Sequence, residues 1–421
     1  MTLIKGAKVL TPKGVVEGNV LIEENKIAAV GDVADKSDVV IDGRKKAVIP
    51  GLFNTHTHAA MVLFRSYADD MVLHEWLEKK IWPLEAKLDS EAVYWGTKLA
   101  CIEMLKSGTI FFNDMYFFPP AIAKAAEECG IRACVSAAFF DFFNPDLLEE
   151  NLKKALKDLK EIEKYNVLRA IGPHAVYTVS LDGLRRAAEI AEEMDLFIHF
   201  HLAETEKEVV DFKKQHGKPI TKALDEIGFL SSRLIAAHSV WLEDAEIELL
   251  GKRGVTVSHC PASNMKLCVG KAIKFEEMKK AGVNFTIGTD GAASNNNLDM
   301  LEEMKFAALL QKFHYSDPTL MKAEEVFEAA TVNAARAFGL KSGVIDEGYL
   351  ADLVLIDLKK PYLQPEHNLV ANLIYAASSG CVDTVIVDGR IVVENGYFMG
   401  DETQEMEIIE KTAKIALDLT N

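Results

Sequence analysis

The chain has 421 residues, which is enough for two or three domains at about 150 residues each. Hydrophobic residues make up 49% and charged residues 26%, a composition that excludes collagen-like, low-complexity and disordered proteins. The 47 basic and 64 acidic residues give a net charge of −17. Because an acidic surface repels phosphate groups, we expect neither nucleic acid nor an anionic membrane as a partner.

Targeting and redox signals are weak in this sequence. The six cysteines include no Cys-x-x-Cys pair, which indicates reduced thiols rather than a disulfide framework. The first residues lack the basic and apolar regions of a signal peptide, and no uncharged apolar run approaches the roughly 18 residues of a membrane span. We therefore expect a soluble, cytoplasmic protein.

The two ends of the chain have the pattern of β-strands. Residues 1–50 alternate apolar and polar side chains, and residues 348–421 contain similar runs. Asp388-Gly389 lies between two of these runs and predicts a two-residue hairpin turn. We predict that residues 1–50 and 348–421 together form one small β-sandwich domain.

Between the ends, apolar strands alternate with amphipathic helices. The eight candidate strands are 47–58, 108–115, 131–137, 168–175, 196–204, 233–240, 254–261 and 283–290. Eight such β-then-α units predict an α/β fold, a (β/α)₈ TIM barrel over residues 51–347. The chemistry of such a barrel lies at the C-terminal ends of its strands, so unusual residues at those ends are candidate site residues.

Two His-x-His sequences occur at predicted strand ends. His56 and His58 end the first strand, and His199 and His201 lie on the fifth. Because a strand has a period of two, both imidazoles of a pair project to the same face, and neutral imidazole is a preferred ligand of Zn²⁺. One His-x-His arises easily by chance, but two at equivalent strand ends indicate a metal site.

Three further residues follow strands five, six and eight. His238 ends the sixth strand and Asp290 ends the eighth, where a carboxylate is costly unless it is paired or binds a metal. The alternative for Asp290 is an N-cap of the following helix, although Ser294 or the nearby Asn run could serve there. Glu204 is either a solvated loop charge or, if burial raises its pKa, a proton donor near the metal.

These motifs together resemble a known superfamily. The resemblance is to the amidohydrolases and extends over nearly the whole chain. It is carried by four features in this order: Pro-Gly-Leu-x-Asn-x-His-x-His, then His201 with Glu204, then His238, then Gly-Thr-Asp290-Gly. Within that superfamily, the chain is similar to the methylthioadenosine/S-adenosylhomocysteine deaminases at residues 56–85, 172–178, 259–267 and 288–300. The 5′-deoxyadenosine deaminases are close relatives of that family. The segment 56–85 is the most specific of these matches.

The resemblance implies a metal site. His56, His58, His201 and Asp290 would hold one divalent metal, with Zn²⁺ ranked above Fe²⁺ and Mn²⁺. Some relatives bridge two metals through a carbamylated lysine at the end of strand four. Residues 168–175 end without a lysine, which favours a single metal.

The resemblance also implies the reaction, which is hydrolytic deamination of the adenine ring of 5′-modified adenosines to the corresponding inosines. The implied pathway is the salvage of nucleosides that remain after S-adenosylmethionine is used. Asp290 and His238 would take the proton of a metal-activated water that attacks C6, and Glu204 would protonate N1 as ammonia leaves. Glu85 and His174 match positions that bind the ribose hydroxyls.

Further residues have both a functional and a structural interpretation. The alternative interpretation of Glu85 is a helix residue whose side chain faces solvent. Trp76 would close an apolar pocket over the 5′ substituent, with a plain core tryptophan as the alternative. His259, Asn264 and His199 would support the site from behind.

The segment after strand three bears on the 5′ substituent. Relatives that act on S-adenosylhomocysteine carry Arg residues there, but residues 136–154 contain Phe and acidic residues and no Arg. We therefore rank 5′-deoxyadenosine and 5′-methylthioadenosine above S-adenosylhomocysteine, with adenosine as a further candidate. A Lys from a neighbouring subunit could replace the Arg, since relatives are often homo-oligomers.

Two alternatives remain. An amidohydrolase that acts on a free base or a triazine ring shares the metal residues, but it has no ribose for Glu85 and His174 to bind. A non-catalytic amidohydrolase-like scaffold would have lost metal ligands, whereas every ligand position and Glu204 are filled here.

Overall fold

The computed structural model describes residues 1–33, 37–399 and 401–420, and its strands form two sheets. The first sheet takes its strands from both ends of the chain: β1 (Thr2–Thr11), β2 (Gly14–Glu23), β3 (Lys26–Gly31), β4 (Val39–Asp42), β5 (Lys46–Pro50), β14 (Leu353–Asp357), β15 (Val382–Val387), β16 (Arg390–Glu394) and β17 (Tyr397–Phe398). The second comes from the middle of the chain: β6 (Leu52–Thr57), β7 (Thr109–Tyr116), β8 (Arg132–Phe139), β9 (Leu168–Pro173), β10 (Phe197–Leu202), β11 (Leu234–His238), β12 (Thr256–His259) and β13 (Asn284–Ile287).

The sheet built from the two ends is mostly antiparallel. Its strand order is β17-β16-β15-β14-β5-β1-β2-β3, with β4 beside β1, and the antiparallel pair of β5 with β14 joins the two ends of the chain. The turn after β2 reaches the turn after β15, where Asn25 Nδ2 donates to Asp388 Oδ1 at 3.0 Å. The small β domain expected from both termini is therefore confirmed, while its exact boundaries stay a prediction.

The predicted hairpin turn is present between β15 and β16. Val387 pairs with Arg390, so Asp388 and Gly389 form a two-residue loop. Both have positive φ angles, 53° and 75°, as a primed turn requires.

The second sheet is the predicted barrel. Its eight strands are all parallel and follow one another in chain order from β6 to β13. Buried hydroxyl groups link the first strand to the last, since Thr55 Oγ1 lies 2.8 Å from Thr286 Oγ1 and donates to the Ile287 carbonyl at 3.0 Å. Gly288 makes this closure possible because a Cβ there would lie 2.6 Å from the backbone nitrogen of His56.

One predicted strand is divided in two. The sequence gives a continuous apolar run over 47–58, but the structure assigns β5 to the terminal sheet and β6 to the barrel. The break falls at Gly51, which approaches Ile110 so closely that a Cβ would lie 2.3 Å from Ile110 Cγ1. Hydrophobicity alone could not locate this change of sheet, because both halves are buried.

Helices follow most of the barrel strands and pack against them. The α-helices are α1 (Leu73–Trp76), α2 (Trp82–Glu85), α3 (Ser90–Lys106), α4 (Pro119–Cys129), α5 (Pro145–Ile162), α6 (Leu181–Glu193), α7 (Glu206–His216), α8 (Ile220–Glu226), α9 (Asp244–Arg253), α10 (Pro261–Lys266), α11 (Phe275–Lys280), α12 (Met300–His314), α13 (Ala323–Ala329), α14 (Val332–Ala337), α15 (Leu369–Tyr375) and α16 (Glu402–Thr420). Short 3₁₀ helices span Ala59–Phe64, Pro361–Leu363 and Ser379–Cys381, and a π-helical turn spans Leu77–Ile81.

The last helix belongs to the periphery of the barrel. α16 packs against α3, where Thr412 Oγ1 donates to the Trp95 carbonyl at 3.1 Å. The segment 348–421 therefore carries helices that contact the barrel as well as the predicted strands. In the described part of the chain, no helix combines the length and the apolar character needed to cross a membrane.

Candidate active site

Four of the predicted site residues converge at the C-terminal end of the barrel. His56 lies near the end of β6, His58 follows that strand, His201 lies on β10, and Asp290 comes three residues after β13. Asp290 Oδ1 is 3.4 Å from His56 Nε2 and 3.3 Å from His58 Nε2, which is itself 3.3 Å from His201 Nε2. A tetrahedral metal site with bonds of about 2.0–2.1 Å has edges of about 3.3–3.4 Å.

The backbone fixes the protonation of two of these imidazoles. His58 Nδ1 lies 2.6 Å from the Met115 carbonyl, and His201 Nδ1 lies 2.8 Å from the His174 carbonyl. Because a carbonyl only accepts, each Nδ1 carries a proton, and in the neutral imidazole each Nε2 keeps its lone pair. Both lone pairs therefore face the cluster, the arrangement in which metal-ligating histidines are held.

His199 contacts the ring of His56 on the side away from Asp290. His199 Nε2 lies 2.7 Å from His56 Nδ1, and His199 Nδ1 lies 3.2 Å from the Ser136 hydroxyl oxygen. His56 Nε2 is buried and has no hydrogen-bond partner among the described residues. A buried, unpartnered nitrogen beside a carboxylate is costly unless a cation lies between them.

Asp290 is held by three donors. The backbone of Gly291 donates to Oδ1 at 2.8 Å, and the hydroxyls of Ser263 and Ser294 donate to Oδ2 at 2.6 and 3.0 Å. Although burial raises its pKa, the neighbouring histidines hold the pKa of this carboxyl well below its usual value. Asp290 thus stays ionised at the cluster.

The alternative capping role of Asp290 is wrong. Helix α12 begins at Met300 and its N-cap is Asp299, whose side chain accepts from the Leu301 nitrogen. The suggestion that Ser294 or the Asn run caps this helix is also wrong, and Ser294 instead binds Asp290. The sequence could not distinguish these roles because several capping residue types follow one another before α12.

The electrostatics of the cluster favour a cation. Burial lowers the pKa of His58, but the Asp290 carboxylate outweighs burial and raises that pKa to about 9. In the absence of any other cation, a proton is thus drawn to this position. Three imidazole nitrogens and one carboxylate oxygen at these spacings fit a divalent metal.

Glu204 and His238 lie beside this cluster. Glu204 is buried after β10, and burial raises its pKa above the usual value. His238 ends β11, where its Nδ1 donates to Asn264 Oδ1 at 2.9 Å and its Nε2 lies 4.0 Å from Glu204 Oε2. The pair therefore places a carboxyl whose pKa is raised by burial next to an imidazole whose Nδ1 is hydrogen-bonded to Asn264.

The backbone at these strand ends is strained. Ala203, His238 and Asp290 all have left-handed φ angles, of 49°, 66° and 61°. Such conformations cost about 1–3 kcal/mol each and persist where surrounding contacts over-determine them. Here the Trp241 nitrogen donates to the Ala203 carbonyl at 2.9 Å, which joins the turns after β10 and β11.

Sequence reasoning missed Glu208. Its carboxylate accepts from the backbone nitrogens of Ala203 at 3.1 Å and Glu204 at 2.9 Å. The spacing Thr205-x-x-Glu208 is a capping-box signal, and Thr205 Oγ1 does accept from the Glu208 nitrogen at 3.2 Å. The glutamate side chain, however, reaches past the N-cap to the turn that carries Glu204.

The predicted ribose residues line a cleft above the cluster. Tyr116 donates to Glu85 Oε1 at 2.8 Å, and burial raises the pKa of Glu85 although this bond opposes the shift. Thr178 Oγ1 donates to the Ala175 carbonyl at 3.2 Å, so it accepts from His174 Nδ1 at 2.8 Å. His174 therefore keeps Nε2 as an acceptor. The solvent-facing alternative for Glu85 is wrong.

The cleft has a volume of about 740 Å³ including its open mouth. Trp76 lines it together with other apolar residues, among them Leu73, Leu77, Ile81, Phe117 and Phe140. Three carboxylates line it, from Glu85, Glu204 and Asp290, whereas no Lys or Arg does within the described ranges. His259, by contrast, is buried on β12, with neither ring nitrogen hydrogen-bonded to a described residue.

Comparison with known sequences matches this architecture. Residues 47–392 match the amidohydrolase family. The chain is 80% identical over 420 residues to 5-methylthioadenosine/S-adenosylhomocysteine deaminase 1 of Archaeoglobus fulgidus, covering 100% of this chain and 99% of the relative. It is 44% identical over 423 residues to the 5′-deoxyadenosine deaminase of Methanothermobacter thermautotrophicus, covering 99% and 98%.

Solved structures share the fold. An adenosine deaminase from Xanthomonas campestris with bound zinc superposes with a TM-score of 0.94 at 36% identity, covering 99% of this chain and 98% of that one. Atrazine chlorohydrolase from Arthrobacter aurescens, complexed with zinc, gives a TM-score of 0.90 at 25% identity, covering 99% and 100%. Zinc in both neighbours, together with the histidine cluster here, indicates a divalent metal at this site.

Proposed function

The chain belongs to the amidohydrolase family, and we propose that it hydrolytically deaminates the adenine ring of 5′-modified adenosines, with release of ammonia and the corresponding inosine. The observation that carries the proposal is the placement of Glu204, a buried carboxyl with a raised pKa, in one cleft with the histidine cluster and the ribose-binding candidates Glu85 and His174. The similarity to curated deaminases over the full chain supports the same reaction.

We propose that His56, His58, His201 and Asp290 hold one metal ion and that this ion is Zn²⁺. The tetrahedral spacing and the mixture of imidazole and carboxylate donors support zinc. Strand β9 ends at Pro173 and is followed by His174, so no lysine is available there to bridge a second metal. When bound, such a metal lowers the pKa of a water ligand from 15.7 towards about 7.

Glu204 and His238 would move the protons. A protonated Glu204 donates to N1 of the adenine ring, which lets the ring accept an electron pair as water adds at C6. His238, with its Nδ1 proton held by Asn264, offers Nε2 as the base for a proton of that water, and Asp290 shares this role. The proton that His238 took from the water then passes to the amino group, which leaves C6 as ammonia. The C6 hydroxyl returns a proton to Glu204 and becomes the carbonyl of hypoxanthine, so that the products are an inosine and ammonia.

Glu85 and His174 would bind the ribose. An ionised Glu85 accepts hydrogen bonds from two vicinal hydroxyls, and these charge-assisted bonds discriminate against molecules without a ribose. His174 adds a further acceptor at Nε2. Trp76 would cover the apolar 5′ end, since it lines the cleft while being only 5% exposed.

The experiment that tests this function is a substrate panel with metal-replete protein. It contains 5′-deoxyadenosine, 5′-methylthioadenosine, adenosine, S-adenosylhomocysteine, adenine, guanine and cytosine, followed by loss of adenine absorbance or by ammonia release and ranked by kcat/KM. Removal of the metal with a chelator should abolish turnover, and Zn²⁺ should restore it.

The outcomes separate the candidate functions. Turnover of the 5′-modified nucleosides supports the proposal, with 5′-deoxyadenosine and 5′-methylthioadenosine expected ahead of S-adenosylhomocysteine. Turnover of a free base alone would remove the ribose roles of Glu85 and His174 and would favour a base deaminase on the same metal centre. The homo-oligomeric state stays a prediction.

A further inference from the structure

The two serine hydroxyls that hold Asp290 come from different segments of the chain. Ser263 lies on α10, whereas Ser294 lies in the turn that follows Asp290, and both donate to Asp290 Oδ2, at 2.6 and 3.0 Å. The other oxygen, Oδ1, faces the histidine cluster. The direction in which Oδ1 points therefore depends on how α10 and this turn are placed relative to each other.

One buried carboxyl, that of Glu303 on α12, binds both segments. Glu303 Oε2 accepts from the Ala262 nitrogen at 3.3 Å, and Oε1 accepts from Asn295 Nδ2 at 2.5 Å. Each of these partners is the direct sequence neighbour of one of the two serines. Asn295 Nδ2 also donates at 2.7 Å to the carbonyl of Thr289, the residue before Asp290. The carboxyl of Glu303 thus joins the two segments that deliver the hydroxyls.

Helix α12 by itself does not explain why Glu303 is buried. Asp299 already caps this helix, and an acidic side chain in the first turn stabilises a helix from the surface by about 0.3–1 kcal/mol. Glu303 is instead 0% exposed, and burial raises its pKa well above the usual value although the bonds from Ala262 and Asn295 oppose the shift. A buried carboxyl is costly, and such groups are concentrated at functional sites.

We propose that Glu303 is a positioning residue for Asp290 and acts through the segments that carry Ser263 and Ser294. Its carboxyl fixes α10 and the turn after Asp290, the two hydroxyls fix Oδ2, and Oδ1 is thereby aimed at the histidine cluster. This inference rests on the proposed role of Asp290 as a metal ligand. Groups that orient a ligand from behind are commonly worth about 10- to 100-fold in metal affinity or activity.

The test measures the Zn²⁺ dissociation constant by competition with a chelator, and kcat and KM of the Zn²⁺-saturated protein. In Glu303→Gln an amide nitrogen replaces one carboxylate oxygen, so either Ala262 or Asn295 loses its acceptor. We expect the dissociation constant to rise about 10-fold and kcat to fall about 10-fold. KM for 5′-methylthioadenosine should change less than about 2-fold, because the ribose candidates Glu85 and His174 are not held by Glu303.

Gln311→Met is the matched control. Gln311 is 1% exposed on the same helix, and its Nε2 donates to the Ile273 carbonyl, which also accepts from the Tyr315 hydroxyl, both at 3.1 Å. The variant removes a buried hydrogen bond of α12 that involves neither α10 nor the turn after the proposed metal ligand. It should keep the metal affinity and kcat of the wild type.

A mutant cycle separates positioning through the serines from a general structural role. In a protein that already carries Ser263→Ala and Ser294→Ala, Glu303→Gln should raise the Zn²⁺ dissociation constant by less than a further factor of about 2, because effects that pass through the same hydroxyls do not add. Asn295→Ala removes one partner of Glu303 and leaves the carboxyl in place. It should weaken metal binding in the same direction, and it replaces Glu303→Gln if that variant does not fold.

The outcomes distinguish this inference from the proposed function. If the wild type binds Zn²⁺ but deaminates no nucleoside, the proposed function fails, and the dissociation constants still decide the role of Glu303. If the wild type binds no Zn²⁺, the proposed metal site and this inference fail together. Wild-type metal affinity and kcat in both Glu303→Gln and Asn295→Ala would overturn the positioning role. An equal loss in Gln311→Met, or a full additional effect of Glu303→Gln in the protein without the two serines, would overturn it as well.

Discussion

Glu208 holds the backbone of Glu204. The Glu208 Oε2 atom accepts from the Glu204 nitrogen at 2.9 Å, four residues earlier in the chain, while Oε1 accepts from the Ala203 nitrogen. Ala203 has a left-handed φ of 49°, so the turn that carries Glu204 needs such support. Glu208 therefore acts as a positioning residue for the proposed proton donor, because these two bonds fix the Glu204 backbone.

Replacement of this residue should affect turnover more than binding. In Glu208→Gln an amide nitrogen replaces one carboxylate oxygen. One of the two backbone N–H groups therefore loses its acceptor and stays unsatisfied. We expect kcat to fall about 10-fold, because the lost bond costs about 1–3 kcal/mol of positioning. KM and metal content should change little, as measured by steady-state kinetics and elemental analysis. A control variant, Glu206→Gln, alters an exposed residue of the same helix and should behave as wild type. Loss of metal in Glu208→Gln would contradict this positioning role.

Glu208 should also make stability depend on pH. Burial, with the Glu204 carboxylate as a second cause, raises the pKa of Glu208 from about 4.5 to about 7. Because the folded-state pKa is above the unfolded value, the neutral side chain adds stability that is complete below about pH 4.5 and is lost as the pH rises through about 7. The shift corresponds to on the order of 3 kcal/mol.

The comparison of two proteins isolates this contribution. Between pH 4.5 and 8, the free energy of unfolding of the wild type should fall further than that of Glu208→Gln, by up to about 3 kcal/mol. Denaturant unfolding of the metal-loaded proteins at several pH values measures the difference. Parallel pH profiles for the two proteins would show that Glu208 keeps an ordinary pKa in the folded state.

Sequence periodicity predicted the part of the site that depends on strand geometry. His56, His58, His201 and Asp290 are recognisable because they interrupt apolar strands at the end where a barrel collects its chemistry. Glu208 was missed because its local capping signal is satisfied by Thr205 alone, and its side chain turns elsewhere.

Contacts between distant segments could not be predicted from the sequence either. The bond from Tyr116 to Glu85 joins a barrel strand to a short helix 31 residues earlier, and no local pattern specifies that approach. The division of residues 47–58 between two sheets depends on the packing of Gly51 against Ile110. In both cases the information lies in pairs of residues that only the tertiary fold brings together.

Glu204→Gln tests the proton donor. The amide keeps the shape of the side chain but has no acidic proton for N1, so we expect kcat to fall at least about 100-fold. Metal content should be unchanged, because Glu204 is not among the proposed ligands. Stopped assays with 5′-methylthioadenosine and metal analysis of the same preparation give both values. A near-normal rate would remove Glu204 from the mechanism, and Glu206→Gln again controls for the loss of one negative charge.

The ribose assignment can be tested through a residue that does not contact the substrate. Thr178 Oγ1 accepts a hydrogen bond from His174 Nδ1 and so leaves Nε2 available for the proposed hydrogen bond from a ribose hydroxyl. Thr178→Val keeps the volume but removes this acceptor, which frees the imidazole to place its proton on Nε2. We expect KM for the nucleoside to rise about 5- to 10-fold, which corresponds to the loss of one hydrogen bond of about 1 kcal/mol or slightly more.

His174→Ala should raise KM by at least as much, and the effects of the two changes should not add, because both remove the same bond. Additive effects in the double variant, or an unchanged KM in His174→Ala, would show that the cleft binds its substrate without this imidazole.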